Sequence, residues 1–373
     1  MAEIRKTTSA PGNFDVFLLF FVLFLTGIGI VMIYSASSTL AAERFNNSYF
    51  FLKRQAMFTC LGGCILFICS AIDYRKYRPF VYLFLAGSIG LLIATHISGY
   101  GHSAGGAQRW IRFAGFSIQP SEVTRISLIM YLAYSLSKKQ ERLNEFKIGF
   151  LPHVIIFGIL GSLIITQPDF GSVVILGTLT WIMMFVGGVK VKHLILPLIP
   201  MLPAAGWIMV SESYRVKRLT AFLDPWAHQL NESYQLVHSL MAFGSGGLIG
   251  KGLGNGYQKL FYLPEPHTDF IFAVIGEELG LWGNLGIISV YFFIIWRGII
   301  IARRTTDPFG SLLATGLTAA IGLQVCVNMG VALGLLPTKG LTLPFLSYGG
   351  SSLLMNMIAV GILINIGRVG NNE

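Results

Sequence analysis

The sequence predicts an all-α membrane protein of about ten transmembrane helices, with both ends on the cytoplasmic side. Three observations carry that expectation. Of 373 residues, 54% are hydrophobic and only 12% are charged, against about 45–50% and about 25% in soluble domains. The mean hydropathy is +0.67. So few charges cannot clothe a chain of this length in water, so lipid must face much of it. Finally, the net charge of +10 comes from Lys and Arg gathered in short clusters between apolar runs. That pattern marks cytoplasmic loops and not a nucleic-acid surface.

A span needs about 20 mainly apolar residues. Such stretches fall near 14–36, 50–71, 79–98, 121–136, 150–167, 172–188, 193–211, 269–296, 310–332 and 350–366. The first is too long for a signal peptide core and its SASS end offers no convincing cleavage site, so it reads as a span. No soluble domain or low-complexity tract interrupts the series. The chain therefore reads as a single polytopic membrane domain, 1–373, with a cytoplasmic tail over 1–13 and a large extracytoplasmic loop over 211–268, between helices 7 and 8. With the N-terminus inside, the inner segments hold fifteen Lys and Arg, and the short outer segments six. The long outer loop adds five, but long loops obey the charge rule poorly.

The long loop holds Arg215, Lys217, Arg218, Lys251 and Lys259, with Trp226, Tyr234 and Tyr257. Within it, YQLVHSLMAF from Tyr234 sets Leu236, Val237, Leu240 and Met241 on one helical face. A short amphipathic helix at the membrane surface is expected there. Cys60, Cys64, Cys69 and Cys326 fall in apolar runs without a CxxC pair. They read as small buried hydrophobes.

Two familiar patterns fail on inspection. GSGGLIGKG around Lys251 has Ser245 and Gly252 where a Walker A loop needs Gly and Ser or Thr. Asp169-Phe170-Gly171 copies a kinase triplet without kinase context and reads as a turn between spans. No zinc-ligand spacing occurs.

Three outer segments carry chemistry. In YLPEPHTDFIFAVIGEELG (Tyr262–Gly280), Asp269 sits at the mouth of a span with Glu277 and Glu278 deeper. Thr268 or Asp269 can cap that helix; alternatively, Asp269 is a general base whose proton affinity is raised by partial desolvation. Glu277, eight residues on, is about 12 Å away along a helix, too far to share one bond with Asp269. In AQRWIRFAGFSIQPSEVTR (Ala107–Arg125), Glu122 and Arg125 lie one turn apart inside a span, where an ion pair or a cavity must receive them. Arg109 can clamp a phosphate, and Trp110 suits an interfacial anchor. In LPTKGLTLPFLSYGGSS (Leu336–Ser352), Lys339 is the lone charge. It is read either as a snorkelling anchor or as part of a site for a polyanionic lipid headgroup.

Together these segments resemble the SEDS proteins (shape, elongation, division and sporulation), which polymerise bacterial peptidoglycan. The resemblance runs from Asp15 to Arg368 and rests on RW-I with QPSE, QPDFG, GSGG-IGKG, LPE-HTDFIFA-IGEELG and PTKGLTLPF-SYGGSS. YQL-HSLMAFGSGG and the IGEE sequence look most like the division branch. By position, the resemblance makes Asp269 the catalytic carboxylate and places Arg109, Trp110, Glu122, Arg125 and Lys339 at the substrate. Arg125 stands where the family more often has Lys, a change of shape at constant charge.

The implied reaction extends a glycan from lipid II, a disaccharide-pentapeptide on undecaprenyl pyrophosphate. Asp269 would take the acceptor hydroxyl's proton, and Arg109 and Lys339 would meet the departing pyrophosphate. No nucleotide is expected as cofactor, and a divalent cation is an open option. The implied partners are a class B penicillin-binding protein and other division proteins, at the septum of a bacterial cytoplasmic membrane. A lipid II flippase, an elongation-type polymerase and a scaffold stay as alternatives.

Overall fold

The structure is a computed structural model describing residues 14–97, 101–104, 107–113, 116–211, 213–229, 233–260 and 263–369. The predicted cytoplasmic tail, 1–13, lies outside the described residues. Among the described residues, eight helices are long and apolar enough to cross a membrane. They are α1 (Val16–Phe45), α2 (Phe50–Ala71), α3 (Val81–Ala94, continuing a 3₁₀ turn), α5 (Leu151–Ile165, continuing a π turn), α6 (Phe170–Gly187), α11 (Ile271–Arg304), α12 (Pro308–Ala332) and α13 (Gly350–Val369). The other two expected spans are special. One is α4 (Pro120–Lys138); the other, expected over 193–211, is split into α7 (Val191–Ile195) and α8 (Leu198–Val210), with Pro203 inside the second piece.

The helices sort by what surrounds them. On α1, Leu18, Val22, Leu25, Gly29, Met32 and Ile33 form the buried stripe. Its other faces are apolar too, and Phe17, Phe20 and Phe24 are exposed. A helix apolar all round with one packed stripe is a lipid-facing span. In contrast, α4 is buried on nearly every face against α3, α6 and α12. Protein surrounds it, so it needs no lipid-facing apolar surface and tolerates Glu122, Arg125 and five Ser or Thr residues. The exposed positions of Cys60, Cys64 and Cys326 correct the expectation of burial: they sit on outward helix faces, where a small apolar side chain suits lipid.

One end of the bundle gathers both ends of the described chain. There Asp15 caps α1 and accepts from Arg297 at 2.7 Å, Asp307 caps α12 and pairs with Arg78, and Asn365 accepts from the Tyr74 amide. A carboxylate at a helix N-terminus is favoured by the unpaired amides there.

The far end is more elaborate than the sequence implied. Residues 101–104, 107–113 and 116–118 form a three-stranded antiparallel sheet, β1 (Gly101–Ala104), β2 (Ala107–Phe113) and β3 (Phe116–Ile118), so the all-helical expectation holds for the membrane body and not for this loop. The segment 211–268 carries α9 (Ser213–Leu223) and α10 (Tyr234–Gly246). Helix α10 is the expected amphipathic helix, but it packs into the body. Leu236 and Val237 are buried, and Ser239 donates to the Ala332 carbonyl of α12.

After α10 the chain folds back along the upper part of α11. That helix breaks at Gly280, whose φ of 68° suits a residue without Cβ. The amides of Leu281 and Trp282 turn to the Gly247 and Leu248 carbonyls, while Lys251 and Gly252 donate to the Glu277 and Glu278 carbonyls. Backbone polar groups freed by the break are thus satisfied by the loop, as an apolar surrounding demands.

Candidate active site

Asp269 lies two residues before α11, at the far end. The structure removes the capping reading: the N-cap of α11 is Phe270, with no side-chain cap hydrogen bond, and Thr268 donates to the Glu265 carbonyl instead. Among the described residues, no hydrogen bond or ion pair reaches the Asp269 carboxylate. Burial first, and then the negative charge of Glu265, push its pKa up to about 7. A carboxylate left unbonded, half-buried and able to change protonation near neutrality is suited to take a proton.

Its position is held by neighbours the sequence reading passed over. Asn328 on α12 donates to the Asp269 carbonyl at 2.8 Å and to the Leu341 carbonyl at 2.5 Å. His267 is buried between Phe51 and Tyr348, and its carbonyl accepts from the Tyr348 amide. Burial holds the imidazole's pKa down at about 4, so it is neutral at pH 7. At Gly340 a Cβ would stand 3.0 Å from Asp269 Oδ2, so the absence of a side chain leaves the carboxylate room.

Lys339, next in the chain, points the other way. Its Nζ is buried and without a hydrogen-bond partner, which overturns the snorkelling alternative. Burial lowers its pKa to about 8, with Asp169 and Glu122 near enough to act in the opposite sense. Its side chain crosses Gly171, where a Cβ would fall 1.9 Å from Lys339 Cε. The turn between the spans lies just before the Asp169–Gly171 triplet, at 166–168, and the triplet instead opens α6, with Asp169 capping it through Ser172. It is also the floor under Lys339, which the sequence did not disclose.

Arg109 lies on β2, reaches the same turn, and donates to the carbonyls of Gln167, at 3.0 Å, and Pro168. Two of its donors are thus committed to protein, and Trp110 beside it is half-buried. Glu122 and Arg125 meet at 2.7 Å with both side chains buried. Arg125 also bonds Gln324, whose amide donates to the Thr342 carbonyl and to Ser352. This ion pair is the internal alternative weighed for it, and it supports the loop that carries Lys339. Of the six predicted residues, Asp269, Lys339, Arg109, Glu122 and Arg125 are linked through the 337–349 loop and the Gln167–Gly171 segment. Trp110 adjoins them along β2. Gln324 and Asn328 were missed, although polar side chains four apart within a span are a readable signal.

Glu277 and Glu278 belong elsewhere. Glu278 is fully buried and accepts from Lys259 Nζ at 2.7 Å, Ser35 at 2.7 Å and the Gly254 amide at 3.1 Å. Glu277 accepts from the Tyr257 amide at 2.8 Å and faces Lys251 at 3.4 Å. They anchor the 247–260 loop, and the lysine of its Walker-like sequence answers a carboxylate. Among the described residues, no cluster of three or more His, Cys, Asp or Glu is placed to hold a metal ion.

A family profile described as cell cycle protein, spanning FtsW, RodA and SpoVE, matches residues 16–372. The chain belongs to this family. It is 45% identical to the probable peptidoglycan glycosyltransferase FtsW of Geobacter metallireducens over 354 residues, covering 95% of this chain and 94% of that one. It is 42% identical to the stage V sporulation protein E of Bacillus subtilis, over 95% of this chain and 97% of that one. Among solved structures, a chain from a study of how a peptidoglycan synthase complex coordinates polymerization and crosslinking superposes with a TM-score of 0.81 at 26% identity, covering 96% and 99% of the two chains. The rod shape determining protein RodA of Thermus thermophilus shares the fold, with a TM-score of 0.70 at 24% identity over 96% and 98%.

Proposed function

We propose that this protein polymerises lipid II into glycan strands at the outer face of the bacterial cytoplasmic membrane during septal wall synthesis, with Asp269 as general base. The enzyme class, peptidoglycan glycosyltransferase, rests on relatives of that name at 45% and 39% identity over nearly the whole chain. The observation that supports the mechanism is an Asp269 carboxylate that, among the described residues, has no bonding partner and a raised proton affinity, next to the 337–349 loop whose Lys339 is buried and unpartnered. The acceptor sugar's hydroxyl oxygen forms a bond to the donor's anomeric carbon as its proton passes to Asp269. The bond from that carbon to undecaprenyl pyrophosphate breaks, and the leaving group departs as an anion toward Lys339 and the free edge of Arg109. The energy resides in the lipid-linked donor. A class B transpeptidase is the proposed partner, in line with the synthase complex to which the fold is similar.

Purified protein in liposomes with labelled lipid II tests the reading, with the partner transpeptidase present and its active site blocked. Glycan polymer is the expected product; translocation without polymer would make the chain a flippase, and neither would leave a scaffold.

Orientation is the next expected result. It follows from the fifteen-to-six division of Lys and Arg. A phosphatase reporter fused after Ser245 is expected to be active and one after Lys139 silent; the reverse pattern overturns the outward placement of the site.

A third expectation concerns the cations. Lys339→Ala removes the charge nearest the leaving group, while Arg109→Ala also frees the Gln167 and Pro168 carbonyls. Polymer yield is expected to fall by about 10²-fold, the scale of losing one preorganised group that meets developing charge. Arg109→Lys is expected to rescue little, because an ammonium cannot bridge two carbonyls as a guanidinium does. Parental yield from a well-expressed double variant would remove both residues from the site.

A further inference from the structure

The reaction as derived leaves unused a cleft of about 530 Å³ between α1 and the 253–260 loop. Its depth follows from α1. Asp15, at the base of that helix, pairs with Arg297. Ser35, in the cleft wall, is twenty residues further along, roughly 30 Å at the α-helical rise, which matches the hydrocarbon thickness of a bilayer. The cleft therefore stands at the outer boundary between hydrocarbon and headgroups. Tyr34 and Tyr257 flank it, residue types that favour that boundary.

The lining changes character along α1. Val31 is the lowest lining residue on that helix, and Ser35, Ser38 and Thr39 follow one and two turns outward. Among the described residues, the Ser38 and Thr39 hydroxyls make no hydrogen bond within the protein, so both are free to bond an occupant. Opposite them, Leu253 and Leu260 supply apolar surface and Asn255 an amide. Among the described lining residues, the only ionised side chain is Lys259. Its ammonium is committed to Glu278 at 2.7 Å and to Ser35 at 2.9 Å. No charge among the described lining residues is spare for a phosphate, and Lys251, whose ammonium lies 4.7 Å from the Tyr257 ring centroid, answers Glu277. Hydroxyls, an amide and aromatic faces above an apolar floor are the complement of an uncharged saccharide, and a lipid-linked glycan seated here would keep its pyrophosphate outside the cleft.

We infer that this cleft is a second substrate subsite, which binds the uncharged saccharide part of a lipid-linked glycan with its apolar side toward Val31 and its hydroxyls toward Ser38 and Thr39. The inference rests on the polymerase reading for its biological ligand, but its physical content is binding alone. A processive polymerase needs a place to hold saccharide while the reacting end turns over at Asp269. That centre is eight residues of α11 and its lead-in away from Glu277, about 12 Å outward.

The test uses the whole protein in detergent-free nanodiscs and a photoreactive alkyl chitobioside, which is neutral and carries a single apolar chain. Crosslinks located by peptide mapping are expected on residues 31–39 and 253–260. Ser38→Trp fills the cleft, and Thr39→Trp does so from an exposed position that leaves folding undisturbed. Each is expected to lower crosslinking at least about tenfold. Free chitobiose at high concentration is expected to compete, and alkyl phosphate of the same chain length is not. Asp269→Asn is expected to leave the crosslink intact, so failure of the polymerase reading and failure of the subsite give different results. Crosslinks elsewhere, labelling unaffected by both Trp variants, or competition by alkyl phosphate as strong as by chitobiose would each overturn the assignment.

Discussion

Asp269→Asn is expected to lower polymerisation from lipid II by about 10²–10⁴-fold, the usual contribution of a general base, while expression and fold persist. The structure makes this substitution unusually clean. Because among the described residues the Asp269 carboxylate neither caps α11 nor bonds a neighbour, Asn would remove the proposed proton acceptor without breaking an internal contact. Asp269→Glu is expected to recover little, since one methylene moves the carboxylate by about an ångström, and misplacement of that size can cost about 10²-fold. Gly340 already stands close to Oδ2.

The pH profile supplies an independent readout. As the proposed general base, Asp269 would act only when deprotonated, and its pKa is raised to about 7. Activity is therefore expected to climb as pH rises through that value. In its proposed role Lys339 would serve only when charged, and its pKa is lowered to about 8, so activity is expected to fall as pH rises further. Polymerisation should trace a bell with its top between about 7 and 8, and Lys339→Ala should flatten the alkaline limb. Parental polymer yield from Asp269→Asn, or an acid limb unchanged in that variant, would end the catalytic assignment.

Glu278→Ala is expected to destabilise the protein by about 3–5 kcal/mol, the cost of leaving one member of a buried ion pair unpaired. Lys259 would lose its carboxylate partner in a site where its side chain is only 7% exposed, and the Ser35 hydroxyl and Gly254 amide would lose their acceptor. Replacing both charges, as Glu278→Leu with Lys259→Met, is expected to restore most of the loss, because apolar packing substitutes well for a buried pair. Thermal unfolding of purified protein distinguishes the outcomes. A double variant as unstable as Glu278→Ala would mean that the loop depends on the carboxylate's bonds to Ser35 and Gly254 and not on charge balance.

The membrane body was readable because lipid-facing spans such as α1 and α6 must be apolar over their whole length. Helix α4 was harder to see for the opposite reason: it is surrounded by protein, and its Glu122–Arg125 pair looks like a liability until Gln324 is placed beside it. Asp269, Lys339 and Arg109 stood out as charges at the mouths of spans, but their states did not. Whether a lysine snorkels or is buried depends on Gly171, more than 160 residues away, and no local pattern records that approach. The sheet over 101–118 was missed because three short strands around a glycine-rich stretch give little alternation to read. The pairing of 247–252 with 277–282 is likewise a long-range backbone contact, and the side chains along it do not record it.

That last contact limits how the protein can be recombined with its relatives. Since the amides and carbonyls of 247–252 complete the hydrogen bonds that α11 loses at Gly280, neither strip is a self-sufficient part. A transplant of the outer segment from a homologue would arrive with open bonds in an apolar setting unless the first turns of α11 travelled with it. The unit of exchange is the pair, and α10 through Trp282 should be moved as one graft.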